Sequence, residues 1–451
     1  MNHPNFPHEK YNDEARLKRF QELIKIKTIT YNETAKIDWA VFKSFEEVLE
    51  SLYPSIHVAF TKTHHGPTGL LYHMRGQFPG DPVVLMSHYD VVPVNQELWS
   101  VPAFDALIKE EAVWGRGTLD TKGTLFAIME AVEEAIDQGF KPINDLYLSF
   151  SGDEEISGDS APSIVQYLKS GGISPSLVLD EGGAVVENVF PGLKKPCALI
   201  GVGEKGYLDV MLRLEGPGGH SSAPPSQSLI TRLAKVLIKL EKSPLKAHFT
   251  PPVSAMFKTL GRESEGIYKF IFNHLDIFSP LLIWIFTKQG GEMNAMIRTT
   301  MAPTKMEGSK AFNVMPPSAS IGLNLRILST DKVDDVIRHI IKVSEEPDLI
   351  VEVHERREAS PNSPIDSQGY QNVQKAIEVV WPEAVTSPYL MMAASDSRHF
   401  CEISKNVLRF SAMTLTKTER NLIHSNDERI TIKGLFETVA FYRSLLQSYM
   451  S

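Results

Sequence analysis

Residues 82–93 read PVVLMSHYDVVP, and this stretch predicts the fold of the chain. Its apolar part, residues 83–86, is typical of a strand buried in a parallel sheet. His88 and Asp90 follow at the carboxyl end of that strand, where open α/β sheets bind their ligands. A ring nitrogen of His88 can bind a metal, and Asp90 can fix the orientation of the ring. Taken alone, His-x-Asp also suits a loop histidine beside a turn aspartate, so the interpretation depends on the rest of the chain.

The composition is that of a globular protein with more than one domain. The chain has 451 residues, of which 42% are hydrophobic and 22% charged. Its net charge of −9, with no basic block, argues against a nucleic-acid partner. Two cysteines are too few for a cysteine-based zinc site. The polar N-terminal stretch lacks the apolar region of a secretory signal, so a cytoplasmic location is expected. The longest apolar patch, residues 277–286, is too short to span a bilayer, so no membrane span is expected.

Two styles of hydrophobic pattern divide the chain. Short apolar strands and amphipathic helices predict an α/β domain with a mostly parallel central sheet. Strands are predicted at 57–60, 69–74, 82–87, 146–151 and 177–179, and helices at 15–26, 37–52 and 125–136. From about residue 205, alternating strands at 208–214 and 321–327 accompany two helices, which predicts a smaller α+β domain with one wet face. We expect residues 1–204 and 359–451 to form the main domain and residues 205–358 to be inserted into it.

Five positions at or just after strand ends carry the chemistry: His88, Asp120, the pair Glu154–Glu155, Asp180 and His424. This set of nitrogen and oxygen ligands suits zinc, with cobalt or manganese as alternatives. Three carboxylates and two imidazoles could hold two divalent ions, with one carboxylate bridging. Adjacent glutamates cannot easily both point at the metals, so one would bind metal and the other would accept the proton of a metal-bound water. The simpler alternatives are a solvated acidic loop for the glutamates and a helix N-cap for Asp120.

Six motifs in this order, SHYDVVPV, WGRGTLDTKG, SGDEEISG, DEGG, GHSSAPP and IHSNDE, resemble the aminoacylase / carboxypeptidase S family of two-zinc metallopeptidases. The similarity is greatest to the carboxypeptidase S and N-fatty-acyl-amino-acid hydrolase branch. The resemblance implies a metal-dependent amidohydrolase or carboxypeptidase that acts next to a free carboxylate. It also implies that the inserted domain is a lid that pairs two subunits into a homodimer.

The resemblance further implies a role for each matching residue. His88 and Asp180 would bind one ion, Glu155 and His424 the other, and Asp120 would bridge them. Glu154 would be the general base, and Asp90 would support His88. His220 would reach the active site of the partner subunit, and Asn313 would contact substrate. Arg326 would pair with the substrate carboxylate, because a guanidinium binds a carboxylate through two hydrogen bonds.

One loop departs from the pattern of the near relatives. Residues 393–398 read AASDSR where the relatives have Gly-x-Thr-Asp-Ser-Arg, so Asp396 and Arg398 are kept as candidate substrate-binding residues while the pocket floor differs. The alternative functions are a dipeptidase or aminopeptidase of the same family and a non-catalytic binding relative. An aminopeptidase would need an acidic anchor for the substrate amine, and a non-catalytic relative should have lost ligands or Glu154.

The apolar segment 267–286, IYKFIFNHLDIFSPLLIWIF, is longer than a minimal lid of this type needs. Pro280 divides it into two short pieces. The favoured interpretation is a buried helical hairpin that fills the core of the lid. The alternative is that part of it lines a channel for a fatty acyl chain, where each buried methylene would add about 0.8 kcal/mol of binding.

Overall fold

The central sheet of the computed structural model, which describes residues 11–187, 190 and 192–450, is built around the strand predicted from residues 83–86. This sheet has eight strands in the order β1-β2-β6-β3-β7-β16-β8-β15. Its four middle strands, β6, β3, β7 and β16, are parallel, and antiparallel pairs flank them on both sides. The strands of the main domain are β1 (Thr61–His65), β2 (Gly69–Met74), β3 (Val83–His88), β4 (Leu107–Lys109), β5 (Ala112–Trp114), β6 (Leu146–Ser151), β7 (Leu177–Val186), β8 (Cys197–Glu204), β15 (Val385–Met391), β16 (Val407–Leu415) and β17 (Arg429–Thr431).

Helices cover both faces of this sheet, which confirms the predicted α/β class. α4 is buried from Lys122 to Glu134 because it lies between the sheet and an outer layer that includes α15 and α3. α5 and α13 pack on the opposite side with Met86 and Val178 of the sheet. The helices of the main domain are α1 (Asp13–Lys25), α2 (Trp39–Leu52), α3 (Pro54–Ala59), α4 (Lys122–Asp137), α5 (Ser160–Ser170), α12 (Gln368–Val380), α13 (Ser397–Phe400), α14 (Lys417–Arg420) and α15 (Ile432–Gln447), and short 3-10 helices lie at Thr34–Lys36, Gln96–Leu98 and Glu154–Ile156.

One predicted strand is wrong. Residues 57–60 belong mostly to helix α3, and the strand begins only at Thr61. Pro54 is the first residue of α3, and its fixed φ with no N–H to satisfy favours a helix start. A run of four residues is too short to distinguish a helical turn from a strand.

The inserted domain has its own sheet and its own core. Its four antiparallel strands are ordered β11-β13-β9-β14, and side chains of β9 alternate between buried and half-buried as the sequence predicts. Two helices, α6 and α11, cover one face of this sheet, and the other face carries no helix of the same core among the described residues. Its elements are β9 (Gly206–Glu215), β10 (Gly219–His220), α6 (Leu229–Lys242), β11 (Thr300–Glu307), β12 (Val314–Met315), β13 (Ser318–Ile327), α11 (Val333–Ser344) and β14 (Ile350–Arg357).

Four helices between α6 and β11 leave the inserted domain and pack on the main one. They are α7 (Pro251–Glu263), α8 (Gly266–Asn273), α9 (Leu275–Gln289) and α10 (Gly291–Ile297). Phe257 of α7 lies 5.6 Å from Phe190 and 5.6 Å from Phe286, ring centre to ring centre, and α7 packs against β15. The predicted hairpin at 267–286 is therefore helical, but its assignment to the core of the lid is wrong, because its buried side chains join the core of the main domain.

Within the described residues, no single helix combines the length and apolar character needed to cross a bilayer. The pair α8 and α9, which bends by 112° at its junction, meets that criterion only when the two helices are taken together.

Candidate metal centre

Two histidines from distant parts of the chain meet at Asp120. His88, the last residue of β3, places Nε2 2.9 Å from Asp120 Oδ1. His424 places its own Nε2 2.8 Å from Asp120 Oδ2 and 3.1 Å from Glu155 Oε2. Asp120 is not the cap of α4, since Thr121 occupies the N-cap position. The carboxylate of Asp120 thus lies between both imidazoles, as expected for a bridging ligand.

The donor atoms at this point fit one or more divalent cations. His88, Asp120 and Glu155 each offer a ligand atom within 4.8 Å of the others, and so do His88, Glu154 and Glu181. Glu155 Oε1 is buried and has no hydrogen-bond partner in the described residues. Several carboxylates are packed here beside two imidazoles that can be neutral. These carboxylates repel one another unless a cation is bound. Because hard oxygen and imidazole donors suit zinc and related divalent ions, the site fits the metal that the sequence predicts.

Glu181 was missed by the sequence analysis. Its Oε1 lies 3.4 Å from His88 Nε2, whereas Asp180 Oδ2 accepts a hydrogen bond from the backbone N–H of Ser397 at 3.0 Å. The ladder between β7 and β16 skips from Asp180 to Gly183, so Glu181 lies in a bulge that can re-aim its side chain. The assignment of Asp180 as a ligand stays a prediction, with Glu181 as its competitor. The sequence does contain a signal for Glu181 as a candidate ligand, because both acids stand side by side in DEGG.

The two glycines of DEGG make this bulge possible. Gly182 has a φ of +146°, which side chains rarely adopt, and a Cβ on it would lie 2.6 Å from the Cβ of Arg409. A Cβ on Gly183 would lie only 1.7 Å from the carbonyl oxygen of Leu199 in β8. Any side chain at Gly183 would therefore push β7 and β8 apart.

Asp90 connects the two sides of the centre. Its Oδ1 accepts the backbone N–H of Glu154 at 3.1 Å, and its Oδ2 accepts that of Glu155 at 3.1 Å. The same carboxylate accepts the hydroxyl of Thr30 at 2.9 Å and lies 3.3 Å from His88 Nδ1. Asp90 thus lies beside His88 and holds the turn that carries both glutamates.

Burial and charge set the protonation of the groups in this centre. Burial raises the pKa of Glu154 well above its usual value, and neighbouring carboxylates raise it further. Burial alone would raise the pKa of Asp120, but hydrogen bonds from His424 and His88 lower it below its usual range. Hydrogen bonds to Asp120 and Glu155 raise the pKa of His424 to about 11. Burial thus favours the protonated form of Glu154, whereas the two imidazoles favour the ionised form of Asp120.

Three arginines face the two glutamates across one open cleft of about 740 Å³. Arg326 and Arg398 were predicted to contact substrate, and both line this cleft together with Arg357. The guanidinium of Arg326 lies 4.7 Å from the ring centre of Tyr207, and that of Arg357 lies 5.5 Å from the same ring. Tyr207, the second residue of β9, and Arg357, the last residue of β14, were not predicted as site residues. The cleft thus brings the two glutamates and three guanidinium groups together, and Asp209 and Glu355 also line it.

The loop with Asp396 and Arg398 is anchored from beneath. Ser151 Oγ donates to Asp396 Oδ2 at 2.6 Å, and Arg398 Nη1 donates to the carbonyl of Ser395 at 2.7 Å. Burial raises the pKa of Asp396 to about 7. Asp396 is thus buried behind the cleft, whereas Arg398 is half-buried and lines it.

Comparison with known proteins agrees with this geometry. The sequence profile described as Peptidase family M20/M25/M40 matches residues 84–448. The chain belongs to this peptidase family. A probable carboxypeptidase S-like protein 2 of Dictyostelium discoideum is 33% identical over 438 residues, which cover 95% of this chain and 84% of that protein. The human N-fatty-acyl-amino acid synthase/hydrolase PM20D1 is 31% identical over 437 residues, covering 94% of this chain and 86% of that protein.

Solved structures show the same fold at low identity. The M20 family metallo-carboxypeptidase Sso-CP2 from Sulfolobus solfataricus superposes with a TM-score of 0.71 at 17% identity, over 96% of this chain and 99% of that one. The di-peptidase Dug1p from Saccharomyces cerevisiae superposes with a TM-score of 0.68 at 16% identity, over 97% and 96% of the two chains. The predicted family and fold are confirmed, and with them a metal-dependent hydrolase.

A buried glutamate, Glu428, holds two parts of the M20 metal centre together. Glu428 Oε1 accepts the backbone N–H groups of Leu119 at 2.8 Å and Asp120 at 3.3 Å. The same side chain pairs with Arg116, whose second nitrogen donates to the carbonyl of Ser425 at 2.8 Å. Glu428 ends the motif IHSNDE, and the sequence predicted no role for it. It ties the turn of Asp120 to the loop of His424.

Two predicted M20 lid residues lie apart from the centre of their own chain. His220 and Asn313 are exposed and stand side by side on the small ribbon of β10 and β12, where Ser221 N–H donates to the carbonyl of Asn313 at 3.1 Å. His220 Nδ1 lies 2.7 Å from Ser222 Oγ, and neither side chain contacts a metal-centre residue in the described part of the chain. The role of His220 in a partner subunit and the contact of Asn313 with substrate stay predictions.

Proposed function

We propose that the protein is a metal-dependent amidohydrolase that cleaves an amide or peptide bond next to a free carboxylate. The observation that carries the proposal is the pairing, in one cleft, of the carboxylate-rich centre with Arg326, Arg357 and Arg398. Guanidinium groups bind carboxylates tightly and through two parallel hydrogen bonds. The substrate would thus be an N-acyl amino acid, or a peptide whose C-terminal carboxylate is bound by these three arginines. Relatives named as carboxypeptidase S-like and as N-fatty-acyl-amino acid hydrolase support this class.

The site suits two divalent ions, with zinc as the first choice and cobalt or manganese as alternatives. His88, Asp120, Glu155 and His424 would hold them, together with Glu181 or Asp180. When bound, such ions lower the pKa of a coordinated water and polarise a carbonyl. The protein's own part is to hold these ligands in place, through Asp90 on one side and Glu428 on the other.

Glu154 is the group that moves the proton. Glu154 lines the cleft without being needed as a bridging ligand, and burial raises the pKa of its carboxyl well above the usual value. A general base works best when its pKa lies near the working pH. Glu154 would accept a proton from the attacking water and return it to the nitrogen of the leaving amine. The oxygen of the water then stays on the acyl product, and its proton leaves on the amine.

The experiment is turnover of a panel of N-acyl amino acids and dipeptides by protein of known metal content. About two equivalents of metal and preference for substrates with a free carboxylate and a blocked amine are expected. Glu154→Gln should keep its metal and lose about 10²–10⁴ in rate, whereas the exposed Glu47→Gln should behave as wild type. Preference for free-amine substrates would favour the aminopeptidase alternative, and full activity without metal would reject the proposal.

We further propose that two subunits pair through the inserted domain and that His220 completes the partner's site. The support is the exposure of His220 and the edge strands β11 and β14, which leave unpaired backbone groups at the rim of the inserted sheet. Mixing inactive His220→Ala with inactive Glu154→Gln should restore activity, because one site of each mixed dimer is then intact. Absence of recovery despite proven subunit exchange would return His220 to its own subunit.

A further inference from the structure

The helices α8 and α9 display an apolar surface that has no covering partner in the described residues. Seven large hydrophobic side chains on them are exposed, from 38% at Ile285 to 72% at Ile277. They are Ile267, Tyr268, Phe270, Ile277, Leu281, Trp284 and Ile285, and we call this set the α8–α9 patch. Single exposed hydrophobic residues are ordinary, but a contiguous cluster marks a surface that binds something.

Between Ile277 and Phe286, helix α9 is apolar on nearly every side. Leu275, Leu282 and Phe286 are buried against the main domain. The opposite face, with Ile277, Leu281 and Trp284 at helical spacing, is exposed. A helix that is apolar on every side is normally buried on every side. The inner face of α9 is explained by the fold, and the outer face calls for an apolar environment outside the described chain.

The charges around the patch favour an anionic lipid surface as that environment. Two acidic groups nearby are paired, Glu263 with Lys195 at 2.9 Å and Glu265 with Lys194 at 2.8 Å. Glu292 of α10 is exposed and forms no ion pair with another described residue. Asp276 lies 3.7 Å from Lys258. Lys269 and Lys288, on the two patch helices themselves, are exposed and form no ion pair with another described residue. The patch therefore carries free positive charge in a chain whose net charge is −9.

The composition of the patch is that of a segment lying in a bilayer interface. Trp284 and Tyr268 are amphipathic rings that prefer the headgroup region, while Phe270, Ile277 and Leu281 suit the boundary of the acyl chains. Lysines at the edge of such a face reach the lipid phosphates. The 112° bend between α8 and α9 keeps both helices folded onto the protein surface.

We propose that the α8–α9 patch docks the protein on the surface of an anionic phospholipid bilayer, with Trp284 inserted at the interface and Lys269 and Lys288 on the headgroups. The docking is a binding function beyond hydrolysis and does not depend on the proposed reaction. It would present the enzyme to acyl substrates that partition into lipid.

The test is co-sedimentation of the full-length protein with vesicles, in the absence of substrate. Binding to phosphatidylcholine–phosphatidylserine vesicles is expected, and Ile277→Glu with Trp284→Glu should reduce partitioning at least about tenfold. The matched control replaces two exposed apolar residues elsewhere, Ile341→Glu with Val379→Glu, and should bind as wild type. Lys269→Gln with Lys288→Gln should lose about fivefold per lysine on anionic vesicles only.

Lipids brominated on their acyl chains give a second readout that does not depend on acidic substitutions. They should quench the fluorescence of wild-type protein, and Trp284→Phe should remove most of that quenching while vesicle binding persists. Unchanged melting temperature and unchanged hydrolysis of a short soluble substrate would show that each variant is folded. Equal sedimentation of patch and control variants would overturn the proposal. So would a wild-type dimer that ignores vesicles and becomes monomeric in the patch variant, since a second copy would then cover the patch.

Discussion

Asp90→Asn is the substitution that tests how the metal centre is held. The native carboxylate accepts the N–H of Glu154 at one oxygen and the N–H of Glu155 at the other, and it also accepts the hydroxyl of Thr30. Asparagine offers one acceptor oxygen and one NH₂ group in the same space. Whichever way the amide turns, one backbone N–H of the glutamate turn then meets another donor.

The expected effect of Asp90→Asn follows from the loss of one hydrogen bond. Losing one hydrogen bond to a charged group costs about 1.5–3 kcal/mol, and Asp90 is fully buried, so water cannot replace it. A free-energy difference of 1.4 kcal/mol is a factor of ten in an equilibrium constant. The equilibrium constant for holding Glu154 and Glu155 in place should therefore fall by about 10- to 150-fold. Losses of about 10- to 100-fold in metal affinity or activity are typical when a ligand's supporting group is removed.

The assay is metal titration of the apo-protein together with kcat/KM for one N-acyl amino acid. Asp90→Asn should lose about 10- to 100-fold in at least one of these quantities. Thr30→Val serves as the control, because it removes a hydrogen bond to the same carboxylate and leaves both glutamate N–H groups paired; its effect should be less than about tenfold. If Asp90→Asn keeps wild-type metal affinity and turnover, the carboxylate does not position the glutamates.

Three further outcomes are expected. Glu181→Gln should lower the affinity for one ion at least about tenfold while Asp180→Asn lowers it less, as measured by metal titration; the reverse order would restore Asp180 as the ligand. Arg409→Met should reduce the free energy of unfolding in urea by about 3–5 kcal/mol, because Glu204 then loses its buried partner 2.6 Å away; a loss below about 1 kcal/mol would contradict this. Gly183→Ala should yield no folded protein in a solubility assay, and a wild-type melting temperature would show that β7 and β8 can separate.

Sequence patterns predicted the elements whose signal is local. His88 follows an apolar run of parallel-strand length, and Glu154 and Glu155 follow another, so their meeting at one sheet edge could be expected. The alternation of β9 and β13 also gave the inserted sheet, because one face of that sheet is buried and the other is not.

The errors and omissions depend on contacts between distant segments. Which acid of DEGG turns toward His88 depends on how β7 bulges against β16, and no pattern within β7 records that register. The roles of Asp90 and Glu428 toward backbone N–H groups become visible only when their loops are brought together. The helices of residues 251–297 share the spacing of lid helices, yet they pack on the main domain because their partners, Phe190 and β15, lie on either side of the insertion.

The position of β16 in the sheet has a consequence for synthesis on the ribosome. Val178 of β7 pairs with Val407 of β16, so the whole inserted domain is translated between the two halves of one strand pair. At about 5–20 residues per second, this delay lasts on the order of ten to fifty seconds. During that time the N-terminal half has an open, apolar strand edge, which is a template for mispairing with other chains. The C-terminal segment, with His424 and Glu428, closes that edge when it emerges and completes both the sheet and the metal centre.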